Sequence, residues 1–504
     1  MKRTAEGGVC GASVVRFADS DLEWPAEPGT EVLGYFHSSA TRTSSLYSFA
    51  VHNQHIPLPE TSSTPTNPRG RLLRVLGVGF GLAVIIGNTI GAGIFRTPGN
   101  IAQLLPNEWL FLGVWLVGGL YALLGATQIA ELGTMLPRSG GQYVFARYAL
   151  GEYAGFIVGW SDWISTCGSA AAVSLVVGEF AGALLPVLAG KTVVIATFVA
   201  IFFAVLQWRG VVWGSSVQNV TSLLKALAFL ALIVAAFVWG GNSNTAATPV
   251  RAADISLLAA FLLSLQAVIY TYDGWTGVIY FSEEVETPAR NVPRALFGGV
   301  LSVIAIYLLV NLALLYVLPI GKIAGQDFAA GAAATVVFGK YGDTVFRSLT
   351  ILSMLSAINA YHLMSTRVLF AMSRDRLFAN LAAAVSKGGT PQVALLLSTV
   401  VAVLIIFFGK KFETVITILA FFFVANYALS FLSVFVLRRR EPERERPYRA
   451  WGYPVTTGIA LLGSILFLVG VVASDTRNSL YALLLLAISY PLFRLLRPAA
   501  RKNG

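Results

Sequence analysis

Three stretches of this sequence place glycine or charge where an apolar helix would otherwise run unbroken. The first is Ile85-Ile86-Gly87-Asn88-Thr89-Ile90-Gly91-Ala92-Gly93-Ile94-Phe95. Glycine loosens a helix, and a backbone broken at membrane depth is tolerated where it lies inside protein or lines a cavity. The N–H groups that open the next half-helix, after Gly91 and Gly93, then favour an anion. The second is Tyr270-Thr271-Tyr272-Asp273-Gly274-Trp275-Thr276-Gly277. Its apolar flanks, Leu257 to Ile269 and Val278 to Phe281, hold Asp273 well inside the run. An intramembrane carboxylate is a functional candidate, although a kinked helix with Asp273 at a wet end has the same appearance. Carbonyls freed at the end of this half-helix, near Tyr270 to Tyr272, favour a cation. A zwitterion whose carboxylate and ammonium are a bond or two apart fits between the two breaks.

The third is Lys225 in Ser222-Leu223-Leu224-Lys225-Ala226-Leu227-Ala228-Phe229-Leu230. A lone ammonium in an apolar helix must find acceptors. The carbonyls freed between Gly87 and Ile90 and a hydroxyl such as Ser353 or Ser356 are within the reading, and the amine could give up its proton during a cycle. The plain alternative is snorkelling toward the Gln218-Asn219 edge. Other charges carry less. Arg96 could attract anions or pair with Glu108 or a lipid headgroup. Glu131, Glu283, Glu284 and Glu286 stand beside Arg138, Arg290 and Arg294, as solvated loop charge or as ion pairs closing one face. Asp162 and Glu179 fall in one apolar run with no partner that the sequence identifies. His362 reads as a packed helix residue before a proton relay.

The elements that must position these groups are membrane helices. Of 504 residues, 56% are hydrophobic and only 12% charged, too apolar for a soluble chain of this size. Runs of about 20 apolar residues, each long enough to span a bilayer, are centred near residues 85, 120, 165, 200, 228, 268, 306, 360, 399, 424, 464 and 488. The expected fold is an all-α polytopic membrane protein with twelve spans. Residues 1–70, rich in Ser, Thr, Pro and Glu, read as a disordered cytoplasmic extension without a secretory signal. Residues 71–437 hold spans 1 to 10, 438–455 a basic cytoplasmic loop, and 456–504 spans 11 and 12 with the C-terminus. Alternate loops divide the basic residues 22 to 8, which places the richer side and both termini in the cytoplasm. The same asymmetry accounts for the net charge of +11 without a nucleic-acid partner. Cys10 and Cys167 are placed neither for a disulfide nor for a metal site.

The breaks fall in spans 1 and 6. Five spans separate equivalent positions, so two five-span repeats have opposite orientation in the membrane. Interrupted helices at matching positions of two such halves point to a transporter binding site. Spans 11 and 12 lie outside the repeat.

From about residue 72 to 495 the chain resembles an amino-acid permease of the amino acid–polyamine–organocation superfamily, close to its L-type and bacterial branches. Gly87 to Phe95 resembles the broken first helix. Ala130-Glu131-Leu132-Gly133-Thr134-Met135-Leu136-Pro137-Arg138-Ser139-Gly140-Gly141-Gln142-Tyr143 resembles the end of helix 2 and its loop. Tyr272-Asp273-Gly274-Trp275, with Glu283 to Arg294, resembles helix 6 and its loop. Asn359 with Arg367 to Asp375 resembles helix 8. The resemblance implies the leucine-transporter-like 5+5 inverted repeat. It implies that a substrate carboxylate meets the N–H groups of Gly91, Ala92 and Gly93 beside Ile90, and that the ammonium meets carbonyls near Tyr270, Thr271 and Asp273. Tyr272 and Trp275 belong to the same motif, and Tyr270 takes the place of an aromatic gate. Where relatives carry Ser, Ala92 lacks the hydroxyl. Lys225 resembles a substitute for bound sodium linking helices 1, 5 and 8, with Ser353, Ser356 and Asn359 on the last of these.

The expected function is a secondary transporter for amino acids, first of all neutral L-amino acids. It would be sodium-independent, driven by proton symport or exchange, and work by alternating access between the two sides of a cell membrane. The expected partners are the amino acid, protons and membrane lipids. No cofactor or metal is expected, and no GxxxxGK[ST] loop suggests a primary pump. A polyamine or cationic amino-acid permease and a non-transporting amino-acid sensor have nearly the same sequence signals. A membrane enzyme would need a cluster of catalytic residues, which His37, His52, His55 and His362 do not supply.

Overall fold

A computed structural model describes residues 72–91, 93–241, 255–409, 412–474 and 476–502. The N-terminal extension with Cys10 lies outside the described residues, and so does Ala92. The first helix is split into α1 (Val78–Thr89) and α2 (Gly93–Leu104). There follow α3 (Glu108–Met135), the short α4 (Gln142–Leu150), α5 (Glu152–Leu184), α6 (Thr192–Trp208) and α7 (Val211–Trp239). Then come α8 (Leu257–Tyr272), a 3-10 turn (Gly277–Phe281), α9 (Pro288–Val317), α10 (Ile320–Ile323) and α11 (Ala329–Phe338). The chain finishes with α12 (Gly342–Arg374), α13 (Gln392–Gly409), α14 (Phe412–Arg440), α15 (Val455–Ser474) and α16 (Thr476–Lys502).

Among the described residues nine helical stretches are long and apolar enough to cross a membrane, and the pair α1 and α2, bent by 47° at the glycine break, is a tenth. Such helices satisfy their backbone hydrogen bonds internally, as a hydrocarbon environment requires. Their outward faces are Leu, Val, Ile and Phe, for example Leu223, Leu230, Val234, Leu404 and Leu484. Polar signals sit at the ends. Asn107 caps α3 by accepting from the N–H groups of Trp109 and Leu110 at 3.0 and 3.1 Å. Gly151, at φ 100°, closes α4 and opens α5, a conformation that glycine adopts without penalty.

The centre of the bundle is built differently. Helices α5 and α12, each 33 residues, pack together and carry the polar interior. Along α12, Ser353, Ser356, Asn359, His362, Ser365, Thr366 and Arg367 are all buried. One of the 22 basic residues that the loop count assigned to the cytoplasmic side, Arg367, is instead inside the bundle, paired with Glu284 at 2.8 Å with both side chains at most 1% exposed.

Ion pairs gather at the end of the bundle that holds the loops after α3, after the 3-10 turn and after α12. Arg138 donates to Asp375 at 2.9 Å and Arg374 to Glu283 at 2.7 Å. Leu76, just before α1, exchanges backbone hydrogen bonds with Glu284 and Glu286 at 2.9 Å. Arg138 is therefore held by Asp375 rather than by the neighbouring glutamates. Glu131 is held from further along the chain, by Arg438 and by the backbone N–H of Ala450 at 2.6 to 2.8 Å. At the opposite end Arg96 pairs with Glu179 at 3.2 Å.

Candidate functional site

The two breaks face each other. Asn88 Nδ2 donates to the Gly274 carbonyl at 3.3 Å, and the Thr97 and Thr271 hydroxyls are 2.9 Å apart. From α9, the Tyr307 hydroxyl bridges both broken segments, 2.7 Å from the Thr89 carbonyl and 3.0 Å from the Thr271 carbonyl. Each break frees carbonyls that a helix would satisfy, and Tyr307 supplies a donor midway between them.

A cavity of about 40 Å³ opens at this junction. By the ~10–15 Å³ that one water needs, it holds about three small polar groups. Gly91, Gly93, Tyr270, Thr271 and Asp273 line it, as do Asn88, Thr89, Ser169, Tyr361 and Phe423. Gly93 opens α2, so the positive end of that half-helix points at the cavity. Asp273 ends α8, where its N–H donates to the Tyr270 carbonyl at 3.0 Å and its carboxylate accepts from the Tyr427 hydroxyl. Tyr272 and Trp275 do not border the cavity. Tyr272 packs on Tyr307 and Trp115, with ring centres 4.9 and 6.4 Å away, and Trp275 packs on Tyr427 at 5.1 Å. They brace the unwound segment from behind. Asn88, Ser169, Tyr361 and Phe423 were not singled out in the sequence. Asn88 lay inside the glycine motif and could have been, whereas the other three come from α5, α12 and α14 with no local signal.

Lys225 does not snorkel. It is 1% exposed, and its ammonium donates to the Gly87 and Ile90 carbonyls at 2.7 Å each. Ser353 donates to the same Ile90 carbonyl at 3.0 Å. Ile90 thus enters the site through its carbonyl, while its side chain is buried. Ser356 and Asn359 stand on the same face of α12 but join a neighbouring network. The Ser356 and Ser222 hydroxyls are 2.9 Å apart, and Ser222 donates to the Ala83 carbonyl at 2.7 Å. Asn359 donates to Gln218 Oε1 at 2.9 Å and to the Gly214 carbonyl at 3.0 Å. Gln218 in turn donates to the Ala83 carbonyl at 3.2 Å. Together these contacts tie the last turns of α1 to α7 and α12 through backbone carbonyls. One ammonium, three hydroxyls and two amides make these contacts.

A second cavity of about 20 Å³ adjoins the first and shares Asn88, Asp273, Tyr361 and Phe423 with it. Asp162, Asn426 and Tyr280 lie in its wall. Among the described residues no group of His, Cys, Asp and Glu is arranged to hold a metal ion.

Residues 81–490 match the amino acid permease family. The serine/threonine exchanger SteT of Bacillus subtilis is 30% identical over 430 residues, covering 84% of this chain and 96% of that protein. The human b(0,+)-type amino acid transporter 1 is 26% identical over 429 residues, 82% of this chain and 86% of its own. The mouse Asc-type amino acid transporter 1 is 28% identical over 404 residues, 76% and 73% respectively. These are transporters and exchangers, not enzymes. A match over most of the chain, together with a helical membrane architecture, shows that the chain belongs to the amino acid permease family.

Proposed function

We propose that the chain is a sodium-independent secondary transporter of neutral L-amino acids, working by alternating access in a cell membrane. The observation that carries this reading is the pair of facing helix breaks whose shared cavity lies beside a fully buried ammonium. The substrate carboxylate meets the backbone N–H groups that open α2, at Gly91, Ala92 and Gly93. Its ammonium meets the carbonyls at the end of α8 and the Asp273 carboxylate. Lys225, with Ser353 and supported by Ser356 and Asn359, fills the place of a sodium ion, so the driving force is a proton or exchange for another amino acid. The relatives named for neutral amino acids, such as the large neutral amino acids transporter small subunit 2 of human (26% identical), support the substrate class.

The architecture in this proposal has twelve spans. To the ten stretches already counted it adds α6, 17 residues long, and α12, whose polar residues face inward. Spans 1 to 10 form the two inverted repeats and α15 and α16 lie outside them. Both termini and the ion-paired end of the bundle face the cytoplasm. Uptake of labelled leucine, alanine, arginine and glutamate into proteoliposomes, with sodium replaced by choline, tests the reading. The expected result is uptake of a neutral amino acid at the same rate in either salt. Uptake only with sodium removes the coupling role of Lys225, and transport of a polyamine in place of every amino acid removes the substrate class. A binding signal without uptake would make the protein a sensor.

A second expectation concerns Gly274. Its φ is 107°, and a Cβ there would lie 3.0 Å from the Asn88 backbone carbon and 2.8 Å from Asn88 Nδ2. Both the conformation and the close approach exclude a side chain, at a cost of about 1–3 kcal/mol. Gly274→Ala should therefore lower uptake about tenfold or more by forcing the two breaks apart. Thermal unfolding of the purified variant should move by only a few degrees, because about 1–3 kcal/mol is small against the unfolding entropy of a chain this long.

A further inference from the structure

Three residues that line the second cavity each carry a buried polar atom left without a partner among the described residues. Asp162 is 3% exposed; its Oδ1 accepts from the Tyr280 hydroxyl at 2.7 Å, and its Oδ2 accepts from nothing. Asn426 is 2% exposed; its Oδ1 accepts from the Ser161 hydroxyl at 2.9 Å, and its Nδ2 donates to nothing. Asn88 spends its Nδ2 on Gly274 and leaves Oδ1 unused. The residues of the wall therefore carry unpaired acceptors at Asp162 Oδ2 and Asn88 Oδ1 and an unpaired donor at Asn426 Nδ2, while the Asp273 carboxylate, which also borders the cavity, accepts from Tyr427. No Lys, Arg or His lines it.

A buried donor or acceptor left unpaired is costly, so the group that belongs here must answer both kinds. An alkyl side chain answers neither. An ammonium only donates and leaves the Asn426 amide unanswered. A hydroxyl donates once and accepts twice, so it can give its proton to Asp162 and take one from Asn426. The volume of about 20 Å³ suits a group the size of a hydroxymethyl, given the ~10–15 Å³ that one water requires. Because the two cavities share four walls, an amino acid with its carboxylate and ammonium in the first would direct a short side chain into the second.

We propose that Asp162 and Asn426 form the side-chain subsite of the transporter and that it reads a hydroxyl, so that small hydroxylated amino acids, serine and threonine, are the preferred substrates. This rests on the amino-acid transport reading above and narrows it.

The experiment is uptake of labelled serine and alanine, and of threonine and 2-aminobutyrate, into proteoliposomes containing the full chain. Each pair differs by the hydroxyl alone. The parent should favour the hydroxylated member about tenfold or more, because the site's polar groups go unpaired with the other. In Asn426→Leu and in Asp162→Ala the ratio should fall toward one. A purely structural defect would lower both members of a pair together and leave the ratio in place, so a ratio that survives both substitutions overturns the proposal. Equal uptake of serine and alanine by the parent also overturns it, with the cavity then filled by water, while leaving amino-acid transport intact. Preference for lysine or ornithine would replace the hydroxyl by a cation as the group that is read. Absence of any amino-acid uptake would instead defeat the transport reading itself.

Discussion

Lys225→Ala will reduce amino-acid uptake by about a hundredfold or more, from roughly pH 5 to 8 and with or without sodium. The ammonium is the shared donor to the Gly87 and Ile90 carbonyls, at 2.7 Å each, which flank the turn where α1 stops. Hydrogen bonds from a charged group contribute about 1.5–3 kcal/mol each. Losing two of them leaves buried carbonyls exposed to no other strong donor, since Ser353 alone reaches Ile90 at 3.0 Å. Even the lower figure doubled, about 3 kcal/mol, exceeds a hundredfold in a conformational equilibrium. Lys225→Met keeps the volume and removes the charge, and should behave like the alanine variant. Initial-rate uptake in proteoliposomes, with protein amount matched by size-exclusion recovery, measures both. Full uptake by either variant would show that the ammonium plays no part in coupling or in holding the break. Rescue by sodium would have a different meaning: the emptied position would then accept the ion that the lysine replaces.

The reason Lys225 could be read from the sequence is local. A single charge within an apolar run has few explanations, and the freed carbonyls it needs were visible as glycines four spans earlier in the same half of the chain. The two breaks were legible on similar grounds, since Gly87, Gly91, Gly93 and Gly274 contradict their surroundings. What stayed hidden were partners far apart in the sequence. Asp162 and Tyr280 are 118 residues apart, Arg96 and Glu179 83, and Glu131 and Arg438 307. A charge at the end of a span reads as solvated loop charge unless the packing that buries it is known. Arg367 is the clearest case. It follows Thr366 in a stretch with enough polar residues to look like a span end, yet α12 runs on to Arg374 and keeps it inside. The second cavity was invisible for the same reason, because its wall is assembled from α1, α4, α5, α12, α14 and the segment after α8, each contributing a few ordinary residues.

The buried pair of Arg367 and Glu284 should be the most damaging place to remove one charge. The guanidinium donates through Nε and Nη2 to the two carboxylate oxygens at 2.9 and 2.8 Å, and through Nη1 to Thr366 Oγ1 at 3.0 Å. It also lies 5.2 Å from the centre of the Phe281 ring. With both side chains at most 1% exposed, water cannot take over for a missing partner. Arg367→Met leaves a carboxylate buried without a counter-charge, which typically costs about 3–5 kcal/mol. The cost should appear as a markedly lower melting temperature in detergent and as faster hydrogen exchange over residues 282–287, since the Glu284 backbone also holds Leu76 ahead of α1. Removing both charges is a different matter. A hydrophobic or neutral pair of similar volume avoids the desolvation of two ions, so Arg367→Met combined with Glu284→Gln should recover more than half of the lost stability. If the double variant is as unstable as the sum of the single ones, the two side chains act independently and the pairing does not hold this end of the bundle together. If the double variant is stable but no longer transports, the pair serves the opening and closing of that end, because a neutral pair keeps the packing and loses only the strong, directional contact between the segment after α8 and α12.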